Sequence, residues 1–172
     1  MPDPTIDIRQ AVTPADFDAV AGLFRAYVAN LGFELDFQDF DSEMAAFPEP
    51  YTPPAGALLL ARVDGAAAGA VAMRPLEPGI CEMKRLYVPD TFRGLGLGRR
   101  LASAIIAAAG AAGYRAMRLD TVTGSMAAAV ALYRAVGFRE IPAYTHNPMP
   151  SALFMELDLV DRLQVHRNSE ST

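Results

Sequence analysis

The sequence predicts one domain of the α/β class, a mixed α+β arrangement with the element order β-α-α-β-β-β-α-β-α-β-β. Three observations predict it: short strand-like runs bounded by turn residues, longer segments with apolar residues at helical spacing, and a glycine-rich turn between a strand and a helix. With 172 residues, 52% of them hydrophobic and 20% charged, the chain can bury a core. We expect the domain to cover residues 1–164, followed by a polar tail over 165–172.

The first strand and helix are predicted by alternation and by a helix-start signal. TIDIRQA (5–11) alternates as a strand does. Thr13 can cap a helix, Pro14 needs no N–H partner in the first turn, and Asp16 places a carboxylate at the positive helix end. One face of this helix should pack inward, formed by Phe17, Val20, Ala21, Phe24, Val28 and Leu31.

The middle of the chain predicts a short helix, a loop and three strands. The helix is expected over 34–47 and the proline-rich loop over 49–56. Asp64 and Gly65 separate two apolar runs, and this dipeptide favours a two-residue hairpin turn. The strands are predicted at 57–63, 66–74 and 80–88, the last two joined by a turn over 75–79.

Strand and helix alternate again in the second half of the chain. Leu97, Leu101, Ile105 and Ala108 form one apolar stripe, which predicts a helix over 97–111. The remaining elements are predicted as a strand at 115–121, a helix at 125–136 that ends at Gly137, and strands at 138–142 and 151–159.

Composition excludes several classes of protein. A net charge of −5 argues against nucleic-acid binding, which normally needs a basic face. No apolar run has the length of a membrane span, and the first residues lack a signal-peptide core. Cys81 is the only cysteine, so it predicts a small buried hydrophobe, with no internal disulfide and no metal site. We expect a soluble cytoplasmic protein.

A glycine-rich turn is the chemical feature of the sequence. Gly94, Gly96 and Gly98 stand between a strand and a helix, where flexible backbone and unpaired helix amides could cradle an anion such as pyrophosphate. The arginines around them are Arg93, Arg99 and Arg100. The spacing differs from the dinucleotide fingerprint, whose third glycine would fall at Arg99, and no Walker Lys-Ser or Lys-Thr pair follows. On these residues alone, a tight connection without a ligand is an equal alternative.

Two stretches together resemble the GNAT N-acyltransferase family. In KRLYVPDTFRGLGLGRRL, Arg93, Gly96 and Gly98 occupy the fixed positions of the family's acetyl-CoA-binding motif, Arg/Gln-x-x-Gly-x-Gly/Ala. ALYRAVGF (131–138) resembles the second signature, in which a helix carrying a tyrosine ends at Gly-Phe. The elements between the two are also compatible, and the likeness covers roughly residues 5–159.

The resemblance implies a single-domain GNAT-like fold, in which a mostly antiparallel sheet is splayed between strands 4 and 5 and flanked by helices. It implies acetyl-CoA as co-substrate, no metal, and a primary amine, small molecule or peptide, as acceptor. A homodimer is a further expectation, since family members are often dimers. Met126 stands where many members carry asparagine, and Ser125 could compensate for it. The implied cofactor-binding residues are Leu86, Tyr87, Val88, Arg93, Gly94, Leu95, Gly96, Leu97, Gly98, Arg99 and Ser125.

Acetyl transfer by direct attack of an amine needs a base for the amine and an acid for the departing thiolate. The resemblance implies that Tyr133, four residues before Gly137, is the acid, and the alternative is a core aromatic. Glu82 is the candidate base, with a solvated strand carboxylate as the alternative. Glu77 and Asp120 are possible substitutes for it.

The acceptor is expected beside the first two helices and the segment before the last strand. Phe37 lies in the acidic segment 34–43, and Tyr144 and Asn147 lie between the last two strands, so all three are candidates for acceptor contacts. Most of the carboxylates in that segment are expected to be solvated. The alternative function is a domain that binds acyl-CoA without turnover, as a sensor or partner module.

Overall fold

The computed structural model describes residues 2–31, 40–124 and 126–160. The strands are β1 (Ile6–Gln10), β2 (Ala57–Val63), β3 (Ala66–Glu77), β4 (Ile80–Tyr87), β5 (Ala116–Val122), β6 (Arg139–Ile141) and β7 (Ala152–Asp158). The α-helices are α1 (Pro14–Asn30), α2 (Phe40–Ala46), α3 (Leu97–Ala111) and α4 (Ala127–Val136), and a short 3₁₀ turn covers Asp90–Phe92. This is the predicted mixed α/β class, with the predicted order of elements.

The strands form a seven-stranded sheet in the order β1-β2-β3-β4-β5-β7-β6. Neighbouring strands are antiparallel except β4 and β5, which are parallel. The pairing of β4 with β5 begins with Ile80 opposite Ala116 and ends with Glu82 opposite Arg118, although β4 continues to Tyr87. The two strands therefore separate in the second half of their length, which confirms the predicted splay.

Helix α1 begins where the cap residues predict. The backbone N–H of Asp16 donates to Thr13 Oγ1 at 3.1 Å, and the N–H of Thr13 donates to Asp16 Oδ2 at 3.2 Å, so both halves of a capping box are present. Val20 and Phe24 are completely buried, as the apolar stripe predicts, and Leu23 is buried beside them.

Most predicted boundaries agree with the structure within two residues, and the third strand and the second helix differ most. β3 continues to Glu77 instead of ending at 74, because Pro75 lies at a shift in the register with β4, where a missing N–H is tolerated. The turn is then made by two residues, with Gly79 at φ +79°. The predicted helix over 34–47 is present from Phe40, and residues 34–39 lie outside the described residues, as does the predicted polar tail.

The sheet has an apolar core on each face. Between the sheet and the pair α3 and α4, the core includes Leu101, Ile105, Met117, Leu119 and Met155. Beneath α1, the second core includes Val20, Phe24, Tyr51, Leu58 and Leu60 and contains no residue of β5 or β7. On that face, β5 and β7 carry Arg118, Asp120 and Glu156 instead, so the sheet has a polar surface beside the splay.

Candidate active site

A cavity of about 240 Å³ lies where β4 and β5 separate. Leu86 and Tyr87 line it from β4, and Asp120 lines it from β5. The end of α1 contributes Tyr27, and α4 contributes Tyr133. Since α1 and α4 lie on opposite faces of the sheet, the cavity passes through the splay from one face to the other.

A distorted residue shapes the β4 side of this cavity. Arg85, which also lines the cavity, has φ +58°, a left-handed conformation that costs energy for an arginine. Its guanidinium Nε donates to Glu43 Oε2 at 2.8 Å, and its guanidinium carbon Cζ lies 4.9 Å from the centre of the Phe40 ring. Its side chain is only 2% exposed, so α2 holds the distorted part of the strand through a buried ion pair.

The glycine-rich turn has the geometry of an anion cradle. Gly94 has φ +85° and Gly96 has φ +71°, and a Cβ at either position would meet no protein atom within 4 Å. The first backbone bond of α3 runs from Arg100 N–H to the Gly96 carbonyl at 3.1 Å. Three amides therefore precede the hydrogen-bond ladder of the helix, those of Leu97, Gly98 and Arg99. Open space and unpaired N–H groups together fit an anionic ligand.

The other residues predicted to bind the cofactor fall into two groups, those with exposed side chains and those whose side chains pack against apolar neighbours. The Arg93 side chain lines the cavity, is 73% exposed and forms an ion pair with Asp90 at 2.8 Å. The side chains of Val88, Leu95 and Leu97 belong to an apolar cluster next to the turn, so they could reach a ligand through backbone groups alone. The Arg99 side chain is exposed at the start of α3.

The start of α4 borders the cavity. Met126 stands there, at the position where many members of the family that the sequence resembles have an asparagine. Met126 lines the cavity, and its Sδ accepts a hydrogen bond from Thr121 Oγ1 at 3.1 Å. Ser125, the predicted compensating residue, lies outside the described residues, as does the acceptor candidate Phe37.

Tyr133 belongs both to the apolar core and to the cavity lining, so its position is compatible with either interpretation of the sequence, a core aromatic or an acid. Its ring centre lies 5.7 Å from that of Phe138. Burial raises the pKa of the Tyr133 phenol above its ordinary value of 10, and Tyr27 and Asp120 raise it further. Its hydroxyl is bonded to no other residue of the ranges that the structure describes, which leaves it available to a ligand.

Glu82, the predicted base, lies in a buried ionic cluster beside the cavity. It is 2% exposed, so it is not the solvated carboxylate of the alternative interpretation. Arg74 Nε donates to Glu82 Oε1 at 3.0 Å, and the Tyr144 hydroxyl donates to Oε2 at 2.7 Å. Lys84 Nζ lies 3.9 Å from Oε1. The described residues that line the cavity do not include Glu82.

Asp120, the substitute base of the sequence analysis, does line the cavity. Its Oδ2 accepts a hydrogen bond from Asn147 Nδ2 at 3.0 Å. Tyr144 and Asn147 therefore connect the loop before β7 to the two candidate carboxylates, Glu82 and Asp120.

The sequence analysis did not identify several residues of the cavity lining, among them the polar residues Tyr27, Asn30 and Arg85. Tyr27 has its pKa raised to about 12, mainly by burial, while Arg85 lowers it. Asn30 Nδ2 donates to the Tyr87 hydroxyl at 3.0 Å, which ties the end of α1 to the end of β4. A usable signal was present, because Tyr27 follows Phe24 by three residues and so continues the buried face of the helix.

The part of the chain that the structure describes holds neither an exposed cysteine nor a cluster of metal ligands. Cys81 is fully buried, as predicted, and burial raises the pKa of its thiol to about 12. The described ranges hold no group of three His, Cys, Asp or Glu side chains suited to a metal ion. Over the same ranges, no helix combines the length and the apolar character needed to span a bilayer.

Comparison with known proteins identifies the class of this fold and site. The model of the acetyltransferase (GNAT) family matches residues 23–138. An uncharacterized N-acetyltransferase of Schizosaccharomyces pombe is 41% identical over 156 residues, which cover 90% of this chain and 95% of the relative. The chain therefore belongs to the GNAT acetyltransferase family, and it is an acyltransferase.

Solved structures agree with this assignment of the fold. A GNAT-family acetyltransferase of Staphylococcus aureus Mu50 has a TM-score of 0.72 at 17% identity, over 90% of this chain and 99% of that one. The protein yncA of Salmonella typhimurium, solved with its cofactor acetyl-CoA, has a TM-score of 0.63 at 20% identity, over 90% of this chain and 94% of that one.

Proposed function

We propose that the protein transfers an acetyl group from acetyl-CoA to a primary amine in the gap between β4 and β5. The observation that carries the proposal is the cavity through the splay, since it brings a phenol, a carboxylate and the unpaired edge of β4 to one place. The proposal is also supported by membership of the GNAT acetyltransferase family and by the similar N-acetyltransferase of Schizosaccharomyces pombe.

The residues present fit acetyl-CoA. The amides of Leu97, Gly98 and Arg99 can bind its pyrophosphate, because they have no partner in the helix and the space before Gly94 and Gly96 is open. The backbone of Leu86, Tyr87 and Val88 can bind its extended arm, because this end of β4 has no pairing with β5. When bound, acetyl-CoA supplies the acetyl thioester. The yncA structure, which contains acetyl-CoA on the same fold, supports this assignment.

Tyr133 is proposed to be the acid. Its phenol, whose pKa lies above the ordinary value of 10, carries a proton at neutral pH, and this is the proton that we propose it donates to the thiolate as it leaves. Its place in the cavity lining supports this role, and so does its hydroxyl, which has no bond to the described residues.

The base is assigned to Asp120 in preference to Glu82. An alkylammonium with a pKa near 10.4 must lose a proton before it can attack. Asp120 lines the cavity and influences the pKa of Tyr133, whereas both oxygens of Glu82 already accept hydrogen bonds. We assign Glu82 the role of holding Tyr144 and the loop before β7.

Release of the CoA thiol, measured with a panel of primary amines, tests the reaction. Asp120→Asn should lower kcat/KM by about 100-fold or more, the usual contribution of a general base, and Glu82→Gln should lower it less. The thermal midpoint of each variant controls for folding. If folded Glu82→Gln is inactive and Asp120→Asn is active, Glu82 is the base, as the sequence predicts. Saturable binding of acetyl-CoA without thiol release from any amine would instead identify an acyl-CoA sensor.

A further inference from the structure

Residues of opposite charge lie on β4 and β5, on the polar face of the sheet, where the pairing of the two strands ends. The last paired residues are Glu82 on β4 and Arg118 on β5. Side chains alternate along a strand, so the next residues on the same face, two positions further on, are Lys84 and Asp120. The basic and acidic residues thus face each other from the strands that diverge around the cavity.

Lys84 is buried, and its ammonium group makes no hydrogen bond in the ranges that the structure describes. It is 8% exposed, and its ion pair is with Glu82 Oε1, 3.9 Å from Nζ, which exceeds hydrogen-bond distance. The same Glu82 oxygen already accepts from Arg74 at 3.0 Å. Burial lowers the pKa of Lys84, which reflects the cost of an ammonium group removed from water, and the charges of Glu82 and Asp120 offset only part of this shift.

Asp120 presents the complementary group. Asn147 holds its Oδ2 at 3.0 Å, and the side chain borders the cavity close enough to Tyr133 to influence its pKa. An ammonium group beside Asp120 is therefore placed at the proposed reaction centre. Lys84 lies on β4 next to the cavity residues Met83 and Arg85, outside the lining itself, and its ammonium group has hydrogen-bond donors left for an anion.

We infer that the acceptor is an amine that carries its own carboxylate, as a free α-amino acid does, and that Lys84 binds this carboxylate while Asp120 faces the amine. This inference rests on the proposed acetyl transfer and names its acceptor class. An amine without a carboxylate would bring no acceptor within hydrogen-bond distance of the buried Lys84 ammonium, whose ion pair in the described ranges is the longer one with Glu82, and a polyamine would bring a second cation against it. The same lysine thus favours an amino acid and disfavours both alternatives.

Matched substrates test the inference directly. The specificity constant kcat/KM is measured for a set of L-amino acids and for the corresponding amino-acid amides, which keep the amine but lose the carboxylate charge. For wild-type protein, we expect the acids to exceed the amides by about 10- to 100-fold, the range of a charge-assisted hydrogen bond. Lys84→Met should bring this ratio close to one through the KM of the acid, with the KM of acetyl-CoA unchanged.

Arg74→Gln is the matched control. Arg74 also contacts Glu82, but it lies on β3, away from the gap, so its removal disturbs Glu82 without removing the proposed anion site. The Arg74 variant should keep the wild-type acid-to-amide ratio. If Lys84→Met does not fold, Lys84→Gln replaces it, and the wild-type ratio is informative without either variant.

The outcomes separate this inference from the proposed function. Efficient acetylation of amides by wild-type protein, or an unchanged ratio in the folded Lys84 variant, would overturn the inference and leave acetyl transfer intact. If no amine is acetylated, the proposed function fails, and calorimetric titration with the same acids and amides still decides whether Lys84 binds a carboxylate.

Discussion

Replacing Gly96 with alanine tests the anion cradle most directly. A Cβ at this position meets no protein atom within 4 Å, so the added methyl group does not clash in the free protein. The remaining cost is the left-handed backbone at φ +71°, about 1–2 kcal/mol for an L-residue. For a domain of this size, that cost should lower the thermal midpoint by roughly 2–8 °C.

The methyl group would occupy the open space in front of the amides, where the pyrophosphate is proposed to bind. The loss of one charge-assisted hydrogen bond is about 1.5–3 kcal/mol, which corresponds to a Kd for acetyl-CoA raised roughly 10- to 150-fold. Isothermal titration calorimetry with acetyl-CoA measures this change on protein whose folding is verified by its thermal midpoint.

Gly113→Ala is the matched control for backbone strain. Gly113 has φ +91°, and a Cβ there also meets nothing within 4 Å. It lies beyond the far end of α3, about 22 Å along the helix from the turn. Both variants should lose similar stability, but only Gly96→Ala should lose affinity. Equal acetyl-CoA affinity in the two variants would refute the assignment of the cradle.

Three further predictions address the acid, the buried ion pair and the cap of α1. Tyr133→Phe should reduce kcat by about 100-fold or more at an unchanged Kd for acetyl-CoA, and an unaltered kcat in steady-state assays would exclude Tyr133 as the acid. Glu43→Ala should cost about 3–5 kcal/mol in urea denaturation, because Arg85 is left buried without its anion, and a near-zero change would contradict that reasoning. The pKa of Asp16 is held below 3.8, first by the backbone N–H of Val12, so its stabilising effect is complete above pH 3.8 and is lost as the pH falls. Asp16→Asn should therefore be less stable at neutral pH and approach the wild-type stability in acid, and a pH-independent difference between the two unfolding curves would count against this linkage.

The elements with local signals were predicted closely. The cap residues Thr13 and Asp16 define the start of α1, and the hairpin at Asp64 and Gly65 has positive φ at both positions, as its turn type requires. Helix α3 has its predicted bounds, Leu97–Ala111. Each of these features depends on contacts between residues close in sequence, which is why the sequence alone suffices.

The sheet order depends on distant contacts and was not derivable from local patterns. β7 lies between β5 and β6, so the last strand of the chain enters the sheet ahead of its predecessor. The splay itself was expected only through the resemblance to a known family, since nothing in the sequence near Glu82 marks the end of its pairing with β5. Strand register of this kind is set by packing across the whole sheet.

The candidate site was predicted in part, for a similar reason. The turn with Gly94 and Gly96 and the position of Tyr133 follow from motifs. The burial of Glu82 does not, because it depends on residues distant in the chain, such as Tyr144, which lies 62 residues later and donates a hydrogen bond to the carboxylate. One usable signal was available: Glu82 and Lys84 are separated by the apolar Met83, and this spacing of two places both on the same face of β4.

The site is an interruption of the sheet, and this has a consequence for residues that touch no ligand. Beyond Glu82, the edge of β4 that faces β5 has no strand to pair with, and buried N–H and C=O groups need partners. The left-handed Arg85 directs this edge, and its strain persists because Glu43 and Phe40 of α2 hold the side chain. The path of the β4 backbone is therefore coupled to the packing of α2. A change in α2 that weakens this anchor should alter acetyl-CoA affinity through the strand, without any contact between α2 and the coenzyme.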